Sequence, residues 1–146
     1  MLTGHVGLNV TDLDRSIDFY RRVFGLDLLN QPDPADPHRY ARLGHEGRLV
    51  LTLWPQSTGK FSTDTPGLHH LAFEAAGPEE ISRAQTVLEQ LGAEFAYEGV
   101  VPHREGADSG GLFFFDPDGT RLELSAKHAP LTAPAPSGAA PTCGFF

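Results

Sequence analysis

The chain has little cysteine, few basic residues and no long apolar runs, and each shortage narrows the possibilities. The single cysteine, Cys143, cannot form an internal disulfide, which agrees with a reducing compartment. Lys and Arg number 11 against 19 Asp and Glu, a net charge of −8. That balance argues against nucleic acid phosphates or an anionic membrane as partners. No stretch approaches the ~20 apolar residues of a membrane span. The N-terminus lacks the basic and apolar regions of a secretory signal, so a cytoplasmic location is expected. What remains is ordinary globular material, 40% hydrophobic and 21% charged over 146 residues. This length suits one domain or two fused small modules.

The chain reads as one pattern written twice. Val6, Leu8 and Val10 alternate with His5, Gly7 and Asn9, as in a strand with one apolar face. Thr11-Asp12-Leu13-Asp14 resembles a capping box. Leu13, Ile17, Tyr20 and Phe24 then form a helical stripe that Gly25 ends. Strands are expected over Leu26–Asn30, Arg39–Leu43 and Arg48–Trp54, with a proline-rich loop over 31–37. In the second half, the stretch from Leu68 through His69 and His70 to Phe73 reads as a strand. Pro78 suits the first turn of a helix. Ile81, Ala84, Leu88 and Leu91 form its stripe, and Gly92 ends it. Strands follow over Ala93–Glu98, Leu112–Phe115 and Thr120–Ala126, with a long loop over Gly99–Gly111 and a turn at Asp116–Gly119.

Each half therefore reads β-α-β-β-β, in the same order and with slowly drifting spacing, as a duplication leaves it. The last strands align as Arg48-Leu49-Val50-Leu51-Thr52 against Arg121-Leu122-Glu123-Leu124-Ser125. The expected organisation is one α+β domain over 1–128. Module one covers 1–55, a linker 56–66 and module two 67–128. An Ala/Pro-rich tail occupies 129–146, with an apolar end at Cys143–Phe146.

Strand parity puts His5, His70 and Glu123 on the face that the helices leave open. Two imidazoles and a carboxylate make a facial set for a divalent metal with positions left for substrate or water. A lone His or Glu on a strand is ordinarily a solvated or structural group; three at related positions of a repeat make a ligand set. His69 points the other way by parity and reads as structural. His103, in the Gly-rich loop, is a candidate acid or base, and Glu74 on the open face is a second. Trp54 and Phe113 are candidate aromatic walls, Arg39 a candidate for an anionic substrate, and Asn9 shares the face of His5.

This pattern resembles the vicinal oxygen chelate superfamily, which groups glyoxalase I, extradiol dioxygenases, fosfomycin-inactivating thiol transferases and bleomycin-resistance proteins. The resemblance spans roughly 3–126 and rests on His5–Val10, Asp12–Tyr20, Phe24-Gly25-Leu26, Gly67–Phe73 and Phe114–Glu123. It implies paired βαβββ modules forming a cupped mixed sheet around Fe2+, Mn2+ or Zn2+, with His5, His70 and Glu123 as ligands. It also implies a small-molecule substrate and a homodimer. Two departures narrow the chemistry. Glyoxalase-type members carry a carboxylate on the last strand of module one, where the internal alignment puts Val50, with Thr52 as its neighbour on that face. Extradiol and fosfomycin enzymes usually carry a tyrosine where this chain has Phe113. An extradiol-type dioxygenase is the leading expectation. A glyoxalase-like lyase or a thiol transferase comes next, and a metal-free binding protein of the bleomycin-resistance kind is the alternative from another class.

Overall fold

A computed structural model describes residues 2–30 and 32–136. Cys143 and the apolar end Cys143–Phe146 lie outside the described residues. The described part falls into two compact units. The first runs to Ser62 and takes in Pro117–Gly119; the second holds Thr63–Asp116 and continues from Thr120. The fold is α+β, with two helices and two four-stranded mixed sheets. Among the described residues no helix is long and apolar enough to cross a membrane.

The first unit carries β1 (Val6–Asn9), α1 (Leu13–Phe24), β2 (Asp27–Leu28), β3 (Ala41–His45) and β4 (Arg48–Trp54). Its sheet runs in the order β1-β4-β3-β2, with β1 and β4 parallel and the other pairs antiparallel. The expected stripe of α1 is buried at Leu13, Ile17, Tyr20 and Phe24, joined by Phe19 and Val23. Each large apolar side chain so buried stabilises the unit by about 1.5–3 kcal/mol. Gly25 ends the helix at φ 65°, the left-handed conformation that favours glycine at this position.

The helix starts differently from the expectation. Asp12, not Thr11, is the N-cap, and its carboxylate accepts the Arg15 backbone N–H at 3.0 Å. Thr11 serves another partner. Its backbone N–H donates to Asp118 Oδ2 at 2.9 Å and its hydroxyl donates to Asp118 Oδ1, which Arg15 Nη2 also reaches at 2.7 Å. Asp118 is thus a buried carboxylate with donors on both oxygens.

The second unit repeats the plan with β5 (Leu71–Glu74), α2 (Pro78–Leu91), β6 (Val101–Pro102), β7 (Gly110–Phe115) and β8 (Arg121–Ala126). Its sheet order is β5-β8-β7-β6, again with only the first pair parallel. Pro78 opens α2, and Gly92 closes it at φ 64°. Ile81, Ala84 and Leu88 are buried as the stripe requires.

Three local expectations need correction. β5 begins at Leu71, so both histidines precede the strand. The strand expected over Ala93–Glu98 reduces to one bridge, Phe95 to Phe114, and the ordered edge strand is β6, inside the stretch read as loop. Two glycines at the start of β7 admit β6 there, while Phe95 meets the other end of the same strand. A Cβ on Gly110 would lie 2.4 Å from the Val101 carbonyl oxygen, so β6 approaches as closely as only glycine permits.

The third correction concerns the internal alignment. In the ladders Gly7 pairs with Thr52, and Ala72 pairs with Glu123. Gly7 and Ala72 are equivalent, each two residues after its histidine. The module-one counterpart of Glu123 is therefore Thr52, not Val50. Both side chains are buried polar groups.

Candidate metal centre on the second sheet

Glu123 sits in the middle of β8, between Ala72 of β5 and Phe113 of β7. Its neighbours Leu122 and Leu124 are buried among the apolar residues of the sheet. Alternation turns Glu123 to the other face, yet it is only 1% exposed. A carboxylate this buried is costly unless its oxygens are satisfied.

One oxygen is satisfied. Oε1 lies 2.7 Å from His103 Nε2, and His103 Nδ1 lies 3.1 Å from the Ser109 hydroxyl. The other oxygen, Oε2, accepts no hydrogen bond. His70 Nε2 lies 3.4 Å from it, close enough for electrostatic pairing but outside hydrogen-bond geometry. Burial holds the His70 pKa below the ordinary 6.5; Glu123 pulls it up, while His69 and Arg121 push it lower. Neutral imidazole, the form that ligates metals, is thereby favoured at His70.

The other His70 ring nitrogen is engaged. His70 Nδ1 and His69 Nδ1 are 2.8 Å apart, with the rings edge to face at 5.1 Å. One nitrogen must donate and the other accept. When His70 donates, its Nε2 lone pair is left bare beside Glu123 Oε2, the tautomer a ligand requires. His69 is therefore a partner of His70, a role that strand parity did not reveal. Ser109 was also missed. Its signal was available only from the β6–β7 pairing, which makes His103 and Ser109 the next pair outward from Pro102 and Gly110.

An aromatic wall stands beside the carboxylate. Phe113 is buried opposite Glu123, edge to face with Tyr97 at 5.5 Å and with His103 at 6.4 Å. The Arg121 guanidinium lies 5.7 Å from the Phe113 ring centre and 5.9 Å from that of Tyr97, within cation–π range.

The remaining candidates are placed as follows. Glu74 is exposed and pairs with Lys127 at 3.6 Å. In the first unit His5 is exposed just before β1, as His70 stands just before β5. Asn9 is exposed and pairs with Trp54 across the ladder. Trp54 stacks on Tyr40 with ring centres 4.7 Å apart. Arg39 is tied to Asp14 of α1 at 3.3 Å. Among the described residues, no group of three or more His, Cys, Asp or Glu side chains is arranged as a formed metal cluster. His103 and Glu123 Oε1 are already committed to each other, which leaves His70 Nε2 and Glu123 Oε2 as the open pair. A neutral imidazole beside an unpartnered buried carboxylate oxygen fits a divalent cation, which would supply the missing partner.

Comparison with known proteins agrees with this architecture. The profile of the Glyoxalase/Bleomycin resistance protein/Dioxygenase superfamily matches residues 3–124. A catechol-2,3-dioxygenase of Bacillus subtilis (strain 168) is 28% identical over 126 residues, 84% of this chain but 40% of the relative, so the chain spans well under half of that protein. An Arabidopsis thaliana protein named glyoxylase I 4 is 25% identical over 82% of this chain and 67% of its own length. The crystal structure of a glyoxylase/bleomycin resistance protein/dioxygenase domain from Frankia superposes with a TM-score of 0.70 at 25% identity, covering 86% of this chain and 91% of that one. A mutant of the fosfomycin resistance protein FosX from Listeria monocytogenes, complexed with Mn(II) and 1S,2S-dihydroxypropylphosphonic acid, shares the fold. Its TM-score is 0.66 at 21% identity, over 86% and 93% of the two chains. The repeated βαβββ plan and the profile match together establish that this chain belongs to the glyoxalase/bleomycin resistance protein/dioxygenase superfamily.

Proposed function

We propose that the chain is a metal-dependent enzyme acting on a small molecule with two adjacent oxygens, and that its chemistry is of the extradiol dioxygenase kind. The observation that carries this reading is Glu123, 1% exposed with Oε2 unpartnered and His70 Nε2 3.4 Å away. His70 and Glu123 would hold the ion, and His5 stands at the matching place before β1 of the repeat. When bound, Fe2+, Mn2+ or Zn2+ supplies Lewis-acid polarisation and a template for two neighbouring oxygens. The chain's own residues do the rest. Phe113 and Tyr97 keep water from one side of Glu123, and a drier site strengthens each charge interaction within it. The rung of the first sheet that matches Glu123 carries Thr52 and no carboxylate, and a hydroxyl is no base at neutral pH. Glyoxalase-type isomerisation is the weaker reading for that reason, and the thiol-transferase reading has no residue of its own in its favour.

A second reading is ligand sequestration without metal. The stacked Tyr40 and Trp54 favour it, because a flat aromatic pair can hold a planar ligand unaided. The two readings separate in one experiment. Protein purified anaerobically and reconstituted with Fe2+ or Mn2+ is assayed for metal content and for oxygen uptake with a panel of catechols. One metal per chain with catechol-dependent oxygen uptake supports the dioxygenase. One metal per chain without oxygen uptake leaves the lyase or transferase. No retained metal sinks the enzyme reading and favours sequestration.

A further inference from the structure

We infer that Ser109 and His103 form a relay that positions Glu123 and makes it a one-oxygen ligand, with His103 acting as a fixed hydrogen-bond donor and not as a mobile acid or base. The inference rests on the metal reading above and adds a role for two residues that touch neither substrate nor ion in it.

Two contacts set the direction of the relay for a neutral His103 ring. A carboxylate only accepts hydrogen bonds, so the 2.7 Å contact from Nε2 to Oε1 puts a proton on His103 Nε2. A neutral imidazole with Nε2–H has a bare Nδ1, which can only accept. The Ser109 hydroxyl, 3.1 Å away, is the donor it meets. The order is Ser109 Oγ–H to His103 Nδ1, then His103 Nε2–H to Glu123 Oε1. Both ring nitrogens are occupied in this arrangement, so His103 has no lone pair to offer a substrate proton.

The backbone holds the relay in register. The His103 backbone N–H donates to the Ser109 carbonyl at 3.0 Å. The two residues thus extend the β6–β7 ladder by one pair beyond Pro102 and Gly110. That pairing puts the two side chains on the same face, within reach of each other. Its consequence falls on Glu123. With Oε1 committed, only Oε2 is open, and it faces His70 Nε2. A carboxylate clamped in this way presents one donor atom in a fixed direction. Such outer partners typically account for 10–100-fold in metal affinity.

The test uses the full chain and Mn2+ as the probe. Calorimetric Mn2+ affinity and the melting temperature of the metal-free protein are measured for wild type, Ser109→Ala, Ser109→Thr, His103→Phe and His103→Gln. Nitrogen NMR of the His103 ring reports the tautomer directly in metal-free wild type and Ser109→Ala. The expected result is Mn2+ binding weakened on the order of tenfold in Ser109→Ala and up to a hundredfold in His103→Phe. Ser109→Thr and His103→Gln restore most of it, because each returns the donor. The ring should be protonated at Nε2 in wild type and stay so in Ser109→Ala, where Glu123 Oε1 still accepts from it while Nδ1 loses its donor. Unchanged affinity in both Ser109→Ala and His103→Phe overturns the inference, as does a fall in melting temperature with affinity intact. If wild type binds no Mn2+, the metal reading fails, and the tautomer still decides the relay: protonation at Nε2 upholds it and protonation at Nδ1 refutes it.

Discussion

The two sheets share a plan and part ways at one rung of their ladders. Each orders its strands with the same parallel first pair, and each helix ends on a left-handed glycine, Gly25 or Gly92. At the same rung of the ladder the first sheet carries Thr52 and the second carries Glu123. The first unit has its own buried carboxylate, Asp118, but donors occupy both of its oxygens. Glu123 keeps one oxygen unpartnered. The backbone register can be copied without copying the chemistry. A fully bonded carboxylate holds a turn, and a half-bonded one is available to bind something.

The largest expected effect breaks this symmetry outright. Glu123→Ala should weaken Mn2+ binding on the order of a hundredfold or more, while Thr52→Val at the matching rung leaves it unchanged. Titration calorimetry on the two variants measures the contrast. Equal losses in both would show that the rung does not distinguish the sheets.

Next in size is the stability of the two carboxylates. Asp118→Ala removes the partner of Thr11 and Arg15 and should cost about 1–3 kcal/mol in urea unfolding. Glu123→Gln should leave metal-free stability unchanged or raised, because the amide oxygen still accepts from His103 while the buried charge with one unbonded oxygen is removed. A Glu123→Gln variant as damaged as Asp118→Ala would mean that Glu123 is a structural group.

A smaller effect comes from pH. The folded His70 pKa lies below its unfolded value of 6.5. As pH falls through 6.5 the unfolded chain takes up a proton that the folded chain refuses, so stability falls with pH in that window. The urea midpoint of metal-free protein should drop between pH 7.5 and 5.5, and His70→Gln should flatten the slope. An equal slope in the variant would assign the pH dependence to other groups.

The smallest effect tests the sameness of the scaffolds. Gly25→Ala and Gly92→Ala, at φ 65° and 64°, should each cost about 1–2 kcal/mol. A difference between them larger than that cost, read from thermal unfolding, would show that the two helix ends are not equivalent.

Much of the fold was legible because amphipathic periodicity and left-handed glycines are local signals. Leu13, Ile17 and Tyr20 announce α1, and Gly25 and Gly92 mark both helix ends. Less legible was anything set by a distant partner. Thr11 reads as a cap until Asp118 is seen to claim it. Ala93–Glu98 reads as a strand but bridges β7 only at Phe95, while Gly110 admits β6 at the strand's other end. The R-L-x-L similarity of the last strands suggested Val50 as the counterpart of Glu123, two residues out of register, because side-chain likeness is a weaker guide than strand pairing. Parity did group His70 with Glu123, and the structure brings their side chains to 3.4 Å although His70 lies just before β5. It missed His69 and Ser109, whose roles depend on ring nitrogens and on the β6–β7 ladder.

If His70 and Glu123 of the second sheet hold a divalent ion, an imidazole nitrogen is bound to it directly. Electron spin-echo modulation of Mn2+-loaded protein measures that contact. The expected spectrum carries a nitrogen coupling from directly bound imidazole that weakens in His70→Ala and persists in Thr52→Val. A Mn2+ signal without nitrogen coupling, or one indifferent to His70→Ala, would contradict it.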